Sequence, residues 1–281
     1  MSQTLPVVLT IAGFDPSSGA GVTADIKTIA AQGCYGIAAI TAMTVQSSTG
    51  VRQVSTVDPQ LLTDSLDELV ADIPVSAVHI GMLGSGEIAT RVARFLEKAK
   101  PPNVVLDPIL TSSSGATLLD EAGMGVLKER LLPLANVVTP NVHEATALTG
   151  VPIENVDDMK VAAQRLQELG AQGVVVTGGH LERAIDLLSI RDQYVQLFKS
   201  NLVPSTNTHG TGCAFSTTIA CHLALDRSLS SAVLLAKSYV TAAIINGYPV
   251  GKNVGPVNHM YQMKNHPRTS GMAKKRATGK D

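Results

Sequence analysis

The sequence predicts an α/β domain: a mostly parallel central sheet, helices on both of its faces, and a short antiparallel hairpin at one edge. Three observations carry that expectation. Short β-branched and apolar runs alternate with segments of helical spacing along most of the 281 residues. Hydrophobic residues make up 44% of the chain, enough for a core on both faces of a sheet. Polar and glycine residues gather just after the strand-like runs, where ligands bind in open parallel sheets.

The elements follow in order. Val7–Ala12 is a β-branched run closed by Gly13, and after a glycine-containing loop Thr23–Gln32 has helical spacing. Ile37–Val45 is a second buried strand. Pro59–Asp72 is a helix with Leu62, Leu66, Leu69 and Val70 on one side. Val78–Ile80 is a strand, Glu87–Lys100 a helix, and Val104–Leu106 a strand stopped by Asp107-Pro108. Gly123–Leu132 is helical, and Val137-Val138 form a strand closed by Thr139-Pro140-Asn141. Met159–Leu169 is a helix ended by Gly170, and Val174–Thr177 a strand before the Gly178-Gly179 turn. Leu187–Arg191 and Tyr194–Phe198 flank Asp192-Gln193 as a hairpin. Cys213–Leu225 and Leu229–Asn246 are the last helices. From Asn265 the chain is polar and rich in Gly, Ser, Lys and Arg, so 265–281 reads as a disordered tail on a domain over 1–264.

Composition narrows the function classes. The net charge is -1, Trp is absent and aromatics are 3%. Neither a basic surface nor stacking platforms for nucleic acid follow from that. No apolar run approaches a membrane span of about 18 residues. The first residues lack the charged-then-apolar pattern of a signal peptide. Three cysteines, Cys34, Cys213 and Cys221, argue against a disulfide framework and for a reducing cytoplasm.

The run Thr208-His209-Gly210-Thr211-Gly212-Cys213-Ala214-Phe215-Ser216 holds the most chemistry. Glycines opening an apolar helix leave its first N–H groups unobstructed, and the helix dipole places about half a positive charge there. That is a ready anion site. Cys213 lies in the same field, which is expected to lower its thiol pKa. The plain alternative is a turn before a core helix, with Cys213 as a small apolar residue. His180 and His209 are the histidines in such loops, and neither has zinc-ligand spacing with a cysteine.

Other candidates have two readings each. Gly19-Ala20-Gly21 can cradle a ligand or make a tight turn, and its spacing is not a dinucleotide fingerprint because Ala24 stands where the third glycine would be. Asp25 can reach a ligand or favour the helix dipole. Gln46 suits a heteroaromatic ring, and Met82 can wall such a ring or fill core. Asp107 can hold hydrated Mg²⁺ or cap a turn. Asn141-x-x-Glu144 can bring a carboxylate to Mg²⁺ through water or form a helix capping box. No Walker-type phosphate loop is present.

Taken together, the motifs resemble the hydroxymethylpyrimidine/phosphomethylpyrimidine kinases of thiamine biosynthesis, within the ribokinase-like superfamily. The resemblance runs from about Val8 to His259. It rests on Thr10-Ile11-Ala12-Gly13-Phe14-Asp15-Pro16-Ser17-Ser18-Gly19-Ala20-Gly21, on Ile80-Gly81-Met82-Leu83, on Asp107-Pro108, on Asn141-x-x-Glu144, on Gly178-Gly179-His180 and on Thr208 to Cys213. It implies a ribokinase-like three-layer α/β/α sandwich. It also implies ATP-dependent phosphorylation of the hydroxymethyl group of an aminopyrimidine, then of the monophosphate, with Mg²⁺. Gln46, Asp25, Met82 and Gly19 to Gly21 would bind substrate. Asn141, Thr177 and Gly179 would meet the nucleotide, and Asp107 and Glu144 would organise Mg²⁺. Gly210, Thr211, Gly212 and Cys213 would form the anion hole, with Cys213 where most ribokinase-like kinases have an Asp base. A homodimer is implied as well. Thr177 departs from the family's frequent Lys-Gly-Gly-His and removes a cation from the ATP phosphates. Three rival readings remain: pyridoxal/pyridoxine kinase of the same fold, a cysteine hydrolase or transferase using Cys213, and a non-catalytic vitamin-binding regulator.

Overall fold

Unbroken apolar runs become strands whose side chains point alternately into two different cores. The structure, a computed structural model, describes residues 5–112, 114–179 and 184–263. Among them, nine strands form one sheet in the order β3-β2-β1-β4-β5-β6-β7-β8-β9. They are β1 (Val7–Phe14), β2 (Tyr35–Ser47), β3 (Gly50–Thr56), β4 (Ala77–Ile80), β5 (Val104–Leu106), β6 (Val137–Val138), β7 (Gly173–Gly178), β8 (Ala184–Ile190) and β9 (Tyr194–Ser200). Strands β2, β1, β4, β5, β6 and β7 are parallel. His180 and the tail from Asn265 lie outside the described residues.

The alternation within each strand assigns its two faces. Leu9, Ile11, Val78, Ile80, Val104, Leu106, Val138, Val174 and Val176 point to one core. Helices α2 (Pro59–Asp72), α3 (Gly86–Ala99), α6 (Val142–Thr149) and α7 (Val156–Glu168) cover that face. Glu121–Val126 (α4) joins them and runs on through a wider turn to Leu132–Leu134 (α5), longer than the Gly123–Leu132 expected. Val8, Ala77, Val105, Val137 and Val175 point the other way, against α1 (Gly21–Ala31), α8 (Thr211–Ala224) and α9 (Leu229–Ile245). The three-layer sandwich expected from the sequence is the fold observed.

The edges differ from the expectation in one respect. The hairpin β8–β9 is present, turning at Asp192 with φ 57°, and it pairs antiparallel with β7. A second antiparallel strand, β3, closes the opposite edge against β2. Its side chains are mostly exposed, so it carries no apolar alternation by which the sequence could announce it.

Most helices begin with a side-chain cap. Asp58 with Pro59 starts α2, Ser85 starts α3, Asn141 starts α6, Asn155 starts α7 and Ser228 starts α9. Helices α1 and α8 have none. Both open at the carboxyl end of the parallel strands. Among the described residues no helix is long and apolar enough to cross a membrane.

Candidate active site

The carboxyl ends of the parallel strands open into one cavity of about 560 Å³, a size suited to small molecules. Of the site residues read from the sequence, all but Gly19 line it.

Helix α8 enters the cavity through Gly210, whose backbone is left-handed at φ 83°. A Cβ there would lie 1.8 Å from the Gly19 carbonyl oxygen, so only glycine lets the two loops meet. The Thr211 N–H turns back to Thr208 O at 3.2 Å, and the Ala214 N–H to Gly210 O at 2.9 Å. Between them, the N–H groups of Gly212 and Cys213 have no acceptor among the described residues. With the helix dipole they form an anion-binding end.

The expected activation of Cys213 is corrected by its surroundings. The thiol is buried and pushed well above its ordinary value, first by burial and then by the charges of Asp25 and Asp107, which outweigh a hydrogen bond from the Gly21 N–H. The helix field would lower the pKa, but dehydration and nearby carboxylates win. Cys213 is therefore held as a thiol. Cys34 and Cys221 are buried free thiols away from the cavity, as expected.

Asp107 and Glu144 meet the same region. Asp107 accepts from Ser216 Oγ at 3.1 Å through Oδ2 and from Thr139 Oγ1 at 3.4 Å through Oδ1. A Cβ on Gly212 would stand 3.7 Å from Asp107 Oδ2, which puts the carboxylate beside the helix entrance. Glu144 closes a capping box: the Asn141 N–H donates to Oε2 at 2.9 Å, and the Glu144 N–H donates to Asn141 Oδ1 at 3.0 Å. The capping reading thus holds, and the same carboxylate still faces the cavity. Burial pushes Asp107 up to about 6, and burial with the Asp107 charge pushes Glu144 up to about 8. Two buried, mutually repelling carboxylates fit a hard divalent cation. Among the described residues no set of three or more His, Cys, Asp or Glu could cage a metal. Mg²⁺ takes one or two carboxylates and completes its shell with water and phosphate oxygens, and Asp107 and Glu144 are the carboxylates here that could serve it.

The other end of the cavity is built on β2. A bulge in the β2–β3 pairing falls at Val45/Gln46 and aims the Gln46 side chain inward. Its Oε1 and Nε2 lie 3.1 Å from Thr44 Oγ1 and 3.3 Å from His209 Nε2. Met82 is both wall and core: it lines the cavity and packs with Ala42 and Leu118. Asp15 braces the adjoining loop, accepting from the Ser17 N–H at 2.8 Å and the Ala20 N–H at 2.9 Å, with His209 Nε2 at 2.8 Å. Burial raises the Asp15 pKa, but the bonds to His209 and Ser17 more than offset it and hold it low.

Two expectations change here. Gly19 does not line the cavity; a Cβ on it would meet the His209 ring at 2.2 Å, so this glycine serves loop-to-loop packing. Helix α1 begins at Gly21, so Asp25 lies beyond its first turn and the dipole explanation fails. Instead Thr10 donates to Asp25 Oδ2 at 2.7 Å and Thr217 to Oδ1 at 2.9 Å. A ligand amine would have to share these oxygens.

The sequence reading missed one feature beside Thr177. Thr177 pairs across β7–β8 with Asp186, and Lys237 from α9 bonds Asp186 Oδ2 at 2.7 Å. Lys237 is the only lysine or arginine lining the cavity among the described residues. The position lacks a lysine of its own, but a cation from a distant helix stands next to it. His259 was also missed as a brace: its Nε2 donates to Gly19 O at 3.1 Å, and burial pushes it down to about 4, so it is neutral.

An anion-binding helix entrance and two carboxylates around one cavity of a three-layer α/β/α sandwich suit an enzyme of phosphoryl transfer to a small molecule. Comparison with known proteins narrows the class. The phosphomethylpyrimidine kinase family model matches residues 15–258. The hydroxymethylpyrimidine/phosphomethylpyrimidine kinase of Haemophilus influenzae is 40% identical over 90% of this chain and 96% of its own length. The thiamine biosynthesis bifunctional protein of Geobacter sulfurreducens is 44% identical over 90% of this chain, which spans 52% of that longer protein. Among solved structures, the pyridoxal kinase of Staphylococcus aureus with AMP-PCP and pyridoxal matches with a TM-score of 0.85 and 33% identity, over 93% of this chain and 96% of that one. The chain belongs to the phosphomethylpyrimidine kinase family.

Proposed function

We propose that this chain transfers phosphate from ATP to the hydroxymethyl group of 4-amino-5-hydroxymethyl-2-methylpyrimidine and then to the resulting monophosphate. The carrying observation is the shared cavity: the Gln46 end, the α8 entrance and the carboxylates Asp107 and Glu144 all line one space. Gln46 hydrogen-bonds the ring and Met82 packs on it, which aims the alcohol toward α8. The Gly212 and Cys213 N–H groups donate to the transferring phosphoryl oxygens, where charge must be held in place. Asp107 and Glu144 would hold Mg²⁺, which when bound neutralises phosphate charge. Asn141, Thr177 and Gly179 line the nucleotide side. Cys213 stays protonated before substrate arrives, so alignment rather than proton abstraction leads. The kinase domain occupies 1–264. Unpaired cysteines support a cytoplasmic setting, and the family resemblance supports a homodimer.

The test is incubation with ATP, Mg²⁺ and the aminopyrimidine, following mono- and diphosphate over time. Both products should appear in sequence. Tight binding with no turnover would overturn the reading in favour of a vitamin-binding regulator. The likeness to a pyridoxal kinase structure supports a second, slower substrate, so pyridoxal is run in parallel; faster turnover of pyridoxal would reverse the assignment.

A further inference from the structure

Beneath the entrance of α8 lies a chain of polar side chains that the reaction scheme leaves unused. β4 alternates strictly, and its one polar residue, His79, falls on the α8 face. Thr10 of β1, Asp25 of α1 and Ser216 of α8 converge on it, and all four are fully buried. His79 Nδ1 lies 3.3 Å from Thr10 Oγ1 and 3.4 Å from Asp25 Oδ2. His79 Nε2 lies 2.9 Å from Ser216 Oγ.

Hydrogen-bond roles decide the protons. The Thr10 hydroxyl gives its proton to Asp25 Oδ2 at 2.7 Å. Both neighbours of Nδ1 are then acceptors, so Nδ1 carries a hydrogen. The other neighbours of Ser216 Oγ are Gly212 O at 3.0 Å, Asp107 Oδ2 at 3.1 Å and Cys213 O at 3.3 Å. All are acceptors. Ser216 has a single hydrogen; directed to Asp107 Oδ2 or to the Gly212 carbonyl, it leaves Ser216 Oγ to accept from Nε2–H. In that arrangement both ring nitrogens are donors.

We propose that His79 is a positioning residue: a buried imidazolium that balances Asp25 on one side and, through Ser216, turns the Asp107 carboxylate toward the cation side of the cavity. The direction of its proton affinity agrees: burial lowers it, but the charge and hydrogen bond of Asp25 and the charge of Asp107 outweigh burial and raise it. Without this counter-charge two carboxylates would share a water-poor pocket, and one would take up a proton. The part of this inference that concerns the cation rests on the kinase reading.

The test has two arms. ¹⁵N-resolved NMR of the wild-type protein at neutral pH, without metal or nucleotide, should show His79 protonated on both nitrogens. Mn²⁺ titration by electron paramagnetic resonance, with AMP-PCP present, should show at least about tenfold weaker binding for Ser216→Ala and His79→Leu, the usual cost of removing an outer partner of a metal ligand. His79→Lys, which keeps a cation and a donor, should recover most of the loss. KM for the aminopyrimidine should change far less than the Mn²⁺ affinity. A singly protonated His79, or unchanged Mn²⁺ binding in Ser216→Ala, overturns the inference. Wild-type protein that binds neither Mn²⁺ nor nucleotide overturns the kinase reading and the cation role with it, whereas a singly protonated His79 in wild type that binds both overturns this inference alone. Ser216→Ala removes one atom, so the test survives if His79→Leu does not fold.

Discussion

Replacing Glu144 with glutamine should make the metal-free protein more stable at alkaline pH. Glu144 is 7% exposed and its pKa rises from 4.5 to about 8 on folding, through burial and the charge of Asp107. A carboxyl with a raised folded pKa contributes its full share below its unfolded pKa and loses it as pH climbs toward the folded one. Between those values the unfolded chain has released the proton and the native protein still holds it. Stability therefore falls by up to about 1.4 kcal/mol per pH unit, on the order of 2–4 kcal/mol by pH 8. Glutamine stays neutral, and its amide oxygen can still accept the Asn141 N–H that closes the capping box. In EDTA, Glu144→Gln and wild type should melt together near pH 5. By pH 8 the variant should melt higher, by about 4–10 °C for a domain of this size. Mg²⁺ should raise wild-type melting more as pH rises, and should do little for the variant. A variant less stable than wild type at pH 8, or a wild type whose stability in EDTA is level across this window, would refute the electrostatic reasoning.

Three further expectations follow from the cavity. Gln46→Leu removes the polar group at the β2 bulge and should raise the aminopyrimidine KM ten- to a hundredfold, about 1–3 kcal/mol, while ATP KM hardly moves; equal effects on both substrates would misplace Gln46. Cys213 should react with iodoacetamide at neutral pH at least about tenfold more slowly than a free thiol, because it is buried and protonated. Fast, selective alkylation of that residue would restore a thiolate. Thr177→Lys places a cation next to the Lys237–Asp186 pair and should lower ATP KM by about threefold, less as salt is raised. Loss of activity in a folded variant would mean that Lys237 already fills the place.

What the sequence determined by itself is whatever is written in neighbouring residues. The β-α alternation was legible because a buried strand needs an unbroken apolar run and a helix needs a period of 3.6. The glycines at 210 and 212, Asn141-x-x-Glu144 and Gln46 were legible because each sits at the end of a strand or the start of a helix. Glycine at 210 and the capping box answer to local backbone needs, so the residue type itself carries the message. Strand β3 was not legible, since an exposed edge strand has no apolar face to mark it. Tertiary structure alone decided the partnerships. Lys237 reaches Asp186 from another element, and His79 reaches Ser216 across the interface of β4 with α8. It also decided the state of Cys213. The helix dipole, a local property, pulls the thiol pKa down, but dehydration and the charges of Asp25 and Asp107 push it up. Those opposing terms depend on which groups are brought together and how much water is removed, and neither exists until the chain has folded.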